Sequence, residues 1–122
     1  MTRNASRTLD FSALKRALVD GDADTVTDCY APEAELHILD KHRTPSAPRV
    51  IRGRDAIGEH WTDICSREMT HTVDHEVLSD HRISFIESCE LPDRTRVAAA
   101  NVLELDGGSI ARHQMIVVWD GE

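Results

Sequence analysis

The chain has 122 residues, which suffices for one domain with its own hydrophobic core. Its formal net charge of −8 argues against nucleic acid and anionic membranes as partners, because both attract basic surfaces. No apolar run approaches the roughly 20 residues of a membrane span. Residues 1–8 are polar and are predicted to be a flexible arm before a single domain at 9–122. The odd number and wide spacing of Cys29, Cys65 and Cys89 suit a reducing cytoplasm.

The first part of the chain predicts two helices followed by a strand. Three apolar residues spaced at i, i+3 and i+7 predict a helix over about 10–20: Phe11, Leu14 and Leu18. Gly21 is placed to end that helix in a left-handed conformation, and Asp22 can cap a second helix that runs to about Cys29. Pro32 is expected to stop the second helix, and residues 34–39 alternate as a short strand would.

A polar loop, a short strand and a longer helix come next. The loop covers residues 40–49, contains two prolines and is expected to lie at the rim of a pocket. Val50 and Ile51 make a short strand that ends at Gly53. The clearest helical pattern in the chain covers about 55–67, where four residues share one face: Ile57, Trp61, Ile64 and Cys65. We expect Trp61 to be partly core and partly pocket wall.

The last half of the chain, from Thr70 to Trp119, predicts four strands in a row. They are joined by three turns: Ser79-Asp80, Pro92-Asp93 and Asp106-Gly107-Gly108. Alternation gives each of the first three strands one largely apolar face: His71, Val73, His75 and Val77, then Ile83, Phe85, Glu87, Cys89 and Leu91, then Val97, Ala99, Asn101, Leu103 and Leu105. The fourth strand is apolar on both faces after Gln114. An antiparallel meander that helices cover on one face encloses a pocket.

Glu87 interrupts the apolar face of the second of these strands. If that face is buried, the carboxylate needs a partner, or desolvation raises its pKa until it can serve as a general acid or base. The alternative is a bulge or a reversed face, which would leave Glu87 in solvent and put Ile86 inside. The pattern leaves both interpretations open.

Asn101 and His113 are the other polar candidates on the late strands. A buried amide at Asn101 can donate a hydrogen bond to a carbonyl or a developing oxyanion, or it can be a satisfied amide of the core or of an interface. Histidine is the side chain best suited to proton transfer near neutral pH, which makes His113 a candidate. A histidine in a strand is more often packed or at the surface.

The spacing of potential ligands predicts neither a metal ion nor another cofactor. His71 and His75 would share one ion on a helix, but on a strand they lie about 13 Å apart, at roughly 3.3 Å per residue. The cysteines lack ligand spacing, and nothing in the sequence places a base beside any of them. They are therefore expected to be packing residues.

Several short segments match a known family: Leu14–Tyr30 with its Gly21-Asp22 break, Tyr30–Ala34, Ile51–Ile57, Thr70-His71 and Asp106–Ile110. They resemble the SnoaL-like branch of the nuclear transport factor 2-like (ketosteroid isomerase-like) superfamily, over about residues 9–119. The resemblance implies an α+β fold, the cystatin-like α+β barrel, in which a cone-shaped, curved, mixed and mostly antiparallel sheet carries about three helices on its concave face. It also implies a cavity used by isomerases, dehydratases, cyclases and epoxide hydrolases, and often a dimer through the sheet.

Matched residue by residue, the chain departs from ketosteroid isomerases at two of their three catalytic positions. Ile38 stands where they have a base aspartate, and Leu14 stands where they have an oxyanion-binding tyrosine. Asn101 stands at the third position, where an asparagine could still donate a hydrogen bond. His71 matches the histidine that follows the long helix in scytalone dehydratase-like members. Two residues of the final strand match pocket-facing positions: His113 and Met115.

We therefore expect a cofactor-free enzyme of isomerase, dehydratase or polyketide cyclase type, which transfers a proton on a hydrophobic metabolite bearing a carbonyl or hydroxyl group. The predicted catalytic residues are His71, Glu87, Asn101 and His113. The residues predicted to bind the substrate are Leu14, Ile38, Trp61, Phe85, Cys89, Met115 and Val117. The alternative is a non-catalytic module that binds an apolar ligand or dimerises. A homodimer through the sheet is the expected assembly.

Overall fold

Three helices cover the inner face of a curved six-stranded sheet in the computed structural model, which describes residues 9–120. The helices are α1 (Phe11–Asp20), α2 (Ala23–Asp28) and α3 (Arg54–Cys65). The strands are β1 (Tyr30–Leu39), β2 (Arg49–Arg52), β3 (Thr70–Leu78), β4 (Arg82–Glu90), β5 (Arg96–Asp106) and β6 (Ser109–Trp119). The predicted α+β class is confirmed, and the arm predicted at residues 1–8 lies outside the described residues.

The sheet is mixed and mostly antiparallel, with the strand order β2-β1-β6-β5-β4-β3. The predicted meander is confirmed as β3 to β6, in which each strand is antiparallel to the next. β1 then pairs in parallel with β6 and antiparallel with β2. The short β2 and the longer β3 are therefore the two edges of the sheet.

β1 begins at Tyr30, earlier than the start at residue 34 that the sequence predicted. Its register with β6 jumps from Tyr30 opposite Ile110 to Glu35 opposite Arg112, so the residues between them bulge. Pro32 lies in this bulge, a position at which the missing N–H of proline is tolerated. The early start buries Tyr30, to which the sequence interpretation gave no role.

Helix α1 ends and helix α2 begins where Gly21 and Asp22 predicted, and Asp10 caps the start of α1. The carboxylate of Asp10 accepts a hydrogen bond from the Ala13 N–H at 3.1 Å. Gly21 follows α1 with φ +74°, the left-handed conformation that glycine adopts without strain, and its N–H donates to the Ala17 carbonyl. Asp22 caps α2 in the same way as Asp10 caps α1, through the Thr25 N–H.

The predicted face of β3 is wrong beyond Val73. His71 and Val73 are buried, but His75 and Val77, which were placed on the same face, are exposed. The register with β4 shifts between Asp74 and Val77, and His75 has a φ of +61°. A bulge at this point breaks the alternation of side chains and turns the end of the strand outward.

The alternation predicted for β4 and β5 is confirmed. Ile83, Phe85 and Glu87 are buried on β4, which resolves the alternative at Glu87 in favour of the inner face. Phe85 packs on Phe11 of α1 with ring centroids 5.4 Å apart, so the helices and the sheet share one core. Among residues 9–120, no helix is both long and apolar enough to cross a membrane.

Candidate active site

An open cavity of about 620 Å³ lies between α3 and the inner face of the sheet. Five of the seven residues predicted to bind substrate line it: Ile38, Trp61, Cys89, Met115 and Val117. The other two, Leu14 and Phe85, are buried in the core and are not among the lining residues. Of the four predicted catalytic residues, Glu87 lines the cavity. Asp40 and Arg49, the ends of the predicted rim loop, line it too.

The first polar cluster of the inner face joins His71, Glu87 and Cys89. His71 lies opposite Cys89 in the pairing of β3 with β4, and Glu87 is two residues before Cys89 on the same face. The Nδ1 atom of His71 lies 3.1 Å from Oε2 of Glu87 and 3.2 Å from Sγ of Cys89. His71 and Glu87 are each 6% exposed, and Cys89 is half-buried.

Both partners of His71 favour its protonated form. The hydrogen bonds to Cys89 and to Glu87 outweigh the effect of burial and raise the pKa of His71 to about 10. Near neutral pH the imidazolium Nδ1–H therefore donates to the carboxylate oxygen of Glu87, with the sulfur of Cys89 as a second acceptor. The cluster therefore holds its proton firmly next to the cavity wall.

This arrangement corrects one expectation about the cysteines. The sequence placed no base beside Cys89, yet the imidazole of His71 is in hydrogen-bond contact with its sulfur. The sequence contained the two parts of this cluster separately: a Glu-x-Cys pair on one face of β4 and a histidine at the start of β3. Only the strand register, which sets His71 opposite Cys89, brings the two parts together.

The second polar cluster of the inner face contains Tyr30, Trp61, Asn101 and His113. The Trp61 indole N–H donates to the Tyr30 hydroxyl oxygen at 3.1 Å, and that hydroxyl lies 2.7 Å from Nδ1 of His113. On the other side of the imidazole, Nε2 lies 2.7 Å from Oδ1 of Asn101. The Asn101 amide N–H donates to the Ala99 carbonyl at 3.0 Å.

These contacts determine which atom donates and which accepts in each hydrogen bond of the second cluster. The Asn101 oxygen can only accept, so Nε2 of His113 carries a hydrogen, and Nδ1 accepts from the Tyr30 hydroxyl. His113 is 2% exposed, and burial lowers its pKa to about 3, which matches a neutral imidazole. Burial also raises the pKa of the Tyr30 hydroxyl well above its ordinary value. Every polar atom named here has a partner.

The four predicted catalytic residues therefore share a face but form two separate pairs. His71 is bonded to Glu87, and His113 is bonded to Asn101. His113 and Asn101 are not among the residues that line the cavity, and their polar groups are engaged with each other, with Tyr30 and with the backbone. Their predicted catalytic role stays a prediction.

Several residues of the cavity wall were missed by sequence reasoning, and His60 is the titratable one whose pKa is most strongly shifted. His60 on α3 lines the cavity and packs edge-on against Trp61, with ring centroids 5.7 Å apart. Burial, and then the nearby Arg49, lower its pKa to about 4. The available signal was its helical spacing four residues after Ala56 and four before Ile64, both of which also line the cavity.

Comparison with known proteins places this geometry in a family. A family model described as the SnoaL-like domain matches residues 11–113. No curated protein matches the chain.

Solved structures share the fold at low sequence identity. An NTF2-like protein of unknown function from Mesorhizobium loti is 15% identical and has a TM-score of 0.75, with 88% of this chain and 86% of that chain covered. A protein with a cystatin-like fold from Silicibacter pomeroyi is 11% identical, with a TM-score of 0.70 and coverages of 88% and 72%. SalBIII, an epoxide hydrolase/cyclase-like enzyme in pyran ring formation in the polyether salinomycin, is 24% identical, with a TM-score of 0.64 and coverages of 89% and 86%.

The match to the family model covers most of the described residues, and the neighbours have the same helix-covered curved sheet. The chain belongs to the family of SnoaL-like domains, with the NTF2-like, cystatin-like fold.

Proposed function

We propose that the cavity binds a hydrophobic small molecule bearing a carbonyl or hydroxyl group, and that the protein is a lyase, isomerase or cyclase that works by proton transfer. The observation that carries the proposal is Glu87, a buried carboxylate that lines the cavity and is hydrogen-bonded to His71. A carboxylate in this setting is a usable general base, and the neighbouring imidazolium holds it in place. The cyclase-like activity in the name of SalBIII belongs to that protein and adds support only as an analogy of fold.

The proposed roles follow from the contacts of the pair. Glu87 takes a proton from a carbon or a hydroxyl of the bound molecule and returns it at a second position of the same molecule. His71 positions the carboxylate through the bond from Nδ1 to Oε2 and stabilises its charge before the transfer. The apolar residues of the wall, Ile38, Met115 and Val117 among them, hold the hydrocarbon part of the ligand and exclude water.

Proton exchange tests the role of Glu87. A panel of hydrophobic ketones is incubated with the protein in D₂O, and the loss of proton signals next to the carbonyl is followed by NMR. With a ketone that exchanges, Glu87→Gln should lower the rate by about 100-fold or more, because the amide keeps the shape but cannot accept the proton. Glu90→Gln, which changes the same residue type at the end of β4 away from the large cavity, is the matched control. A Glu87→Gln variant with the full rate would overturn the proposal.

The second candidate function is a non-catalytic pocket that binds an apolar ligand. Two observations favour it: the cavity wall is largely apolar, and Ile38 stands where the resembled isomerases carry a base. Histidine resonances of the protein separate the two functions. If the His60 signal shifts on addition of a ligand and none of the panel exchanges or is converted, the binding function is supported.

We also propose that the outer face of the sheet pairs with a second copy of the chain. Val102, Ile116 and Val118 are 39%, 51% and 64% exposed there, and the register of β5 with β6 makes them neighbours. Val118→Lys should convert a dimer into a monomer, as measured by light scattering after gel filtration. Val77→Lys changes an equally exposed valine on β3 and should leave the assembly unchanged. A monomeric wild-type protein would overturn this proposal.

The cytoplasm is the location that we propose for the protein. Cys29, Cys65 and Cys89 are all free thiols, a state that a reducing compartment preserves. Cell fractionation with thiol labelling checks it, and a secreted or disulfide-linked form would contradict it.

A further inference from the structure

We propose that Nδ1 of His71, a carboxylate oxygen of Glu87 and Sγ of Cys89 together bind one Zn²⁺ ion. These three potential ligand atoms lie within 4.8 Å of one another. They come from three chemically different side chains on two neighbouring strands, all on the inner face. The inference goes beyond the proposed function and does not rest on it, because ion binding is measured without any substrate.

The strand register explains why three ligands converge without a spacing motif. Glu87 and Cys89 are two residues apart on β4, so their side chains leave the same face of the sheet. His71 stands directly opposite Cys89 on β3, at the distance of a cross-strand pair. A shift of the register by one residue would turn His71 to the other face, so the site depends on this pairing alone.

The distances suit a zinc ion after a small adjustment. Zinc–nitrogen, zinc–oxygen and zinc–sulfur bonds are about 2.0–2.3 Å long, which places the ligand atoms of a tetrahedral site roughly 3.3–3.8 Å apart. Nδ1 of His71 is now 3.1 Å from the Glu87 oxygen and 3.2 Å from the Cys89 sulfur. These two distances need to grow by only a few tenths of an ångström to admit the ion, and all three ligand atoms lie within 4.8 Å of one another.

The donor set favours zinc over the harder cations. Magnesium and calcium prefer oxygen ligands, whereas an imidazole, a carboxylate and a thiolate together suit Zn²⁺. The carboxylate and the thiolate would also neutralise the two charges of the ion. Three protein ligands leave a fourth position, and because Glu87 and Cys89 line the cavity, that position opens toward it.

The ion and the imidazolium proton exclude each other, since both need Nδ1 of His71. A zinc-bound protein would therefore lack the hydrogen-bonded pair to which we assign proton transfer.

Cobalt serves as the probe, because Co²⁺ takes the place of zinc and a thiolate–cobalt bond gives a charge-transfer absorption in the near ultraviolet. The whole chain, freed of metal under reducing conditions, is titrated with Co²⁺ alone. The expected result is a thiolate–cobalt band that saturates at one ion per chain and that Zn²⁺ abolishes. Cys89→Ser should remove the band, and His71→Asn or Glu87→Gln should weaken cobalt binding by about 10-fold or more.

Two other cysteines supply matched controls. Cys29→Ser and Cys65→Ser make the same change at half-buried thiols outside the cluster and should keep the band. Absence of a band in the wild-type protein, or a band that survives Cys89→Ser, would overturn the site. Thermal unfolding guards against misfolded variants, because Zn²⁺ should raise the melting temperature of the wild-type protein and of Cys65→Ser, and leave that of Cys89→Ser unchanged.

The outcomes separate this inference from the proposed function. If the protein gives the expected cobalt spectrum but neither exchanges nor converts any compound of the panel, the zinc site stands and the enzyme function is overturned. If instead the proton exchange requires Glu87 and the protein gives no cobalt spectrum, the enzyme function stands and the zinc site is overturned.

Discussion

The inner face of the sheet carries two buried histidine clusters that differ in the partners and the charge of the histidine. His113 is held between Tyr30 and Asn101, its two ring nitrogens are both engaged, and burial keeps it neutral. His71 shares one nitrogen between Glu87 and Cys89, and its partners keep it charged. The first network is closed, whereas the second borders the cavity through Glu87 and Cys89.

This difference shows that the role of a buried polar residue, structural or functional, can be inferred only when its hydrogen-bond partners are known. A fully satisfied network stabilises and specifies a core, because each member would be costly to leave alone. A charged cluster at a cavity wall presents one of its members, here the Glu87 carboxylate, to something that enters the cavity. We therefore propose a structural role for the network around His113 and a chemical role for the cluster around His71.

The largest expected effect on stability comes from opening the closed network. His113→Leu leaves the Tyr30 O–H without an acceptor, although its oxygen still accepts from Trp61, and leaves the Asn101 oxygen without a donor. Each such buried, unsatisfied group costs about 1–3 kcal/mol. We expect the free energy of unfolding in urea to fall by about 2–5 kcal/mol. A loss below about 1 kcal/mol would show that the network does not hold the core together.

The pH dependence of stability gives the next effect. Folding lowers the pKa of His113 from 6.5 to about 3, so between these values the unfolded chain binds a proton that the folded chain does not. The free energy of unfolding should therefore fall by about 1.4 kcal/mol for each pH unit of acidification in that range, and this contribution is fully present above pH 6.5. His113→Gln cannot gain the charge, so the difference between its pH profile and that of the wild-type protein isolates this residue. Parallel profiles would contradict the assignment.

The smallest effect is expected at the open cluster. With a chelator present, Cys89→Ala should change the free energy of unfolding by less than about 1 kcal/mol, because the thiol is half-buried and sulfur is a weak hydrogen-bond acceptor. Urea unfolding beside His113→Leu makes the comparison direct. A loss as large as that of His113→Leu would mean that both clusters serve the core.

The sequence predicted the fold well because local signals agreed with it. Gly21 and Asp22 cap the helices as their types suggested, and alternation identified the inner faces of β4 and β5. Alternation failed on β3 because one residue with positive φ, His75, creates a bulge that the residue types do not announce.

The candidate site was predicted less completely, for a reason that lies in pairing. Four polar residues could be placed on one face, but alternation along a strand does not say which of them touch. The division into two clusters follows from the cross-strand register and from Tyr30, whose inward position depends on the bulge around Pro32. His60 was missed because it belongs to a helix face on which polar and apolar residues mix.

The bulge on β3 has a consequence for how copies of the chain can meet. β3 is a free edge of the sheet, and an unpaired edge is a template for continuous strand-to-strand stacking and fibre growth. Here the bulge distorts the edge, and Glu76 next to it is tied to Lys15 by an ion pair of 2.7 Å. The opposite edge is four residues long and bears Arg49 and Arg52. Both edges thus discourage continuous strand-to-strand aggregation.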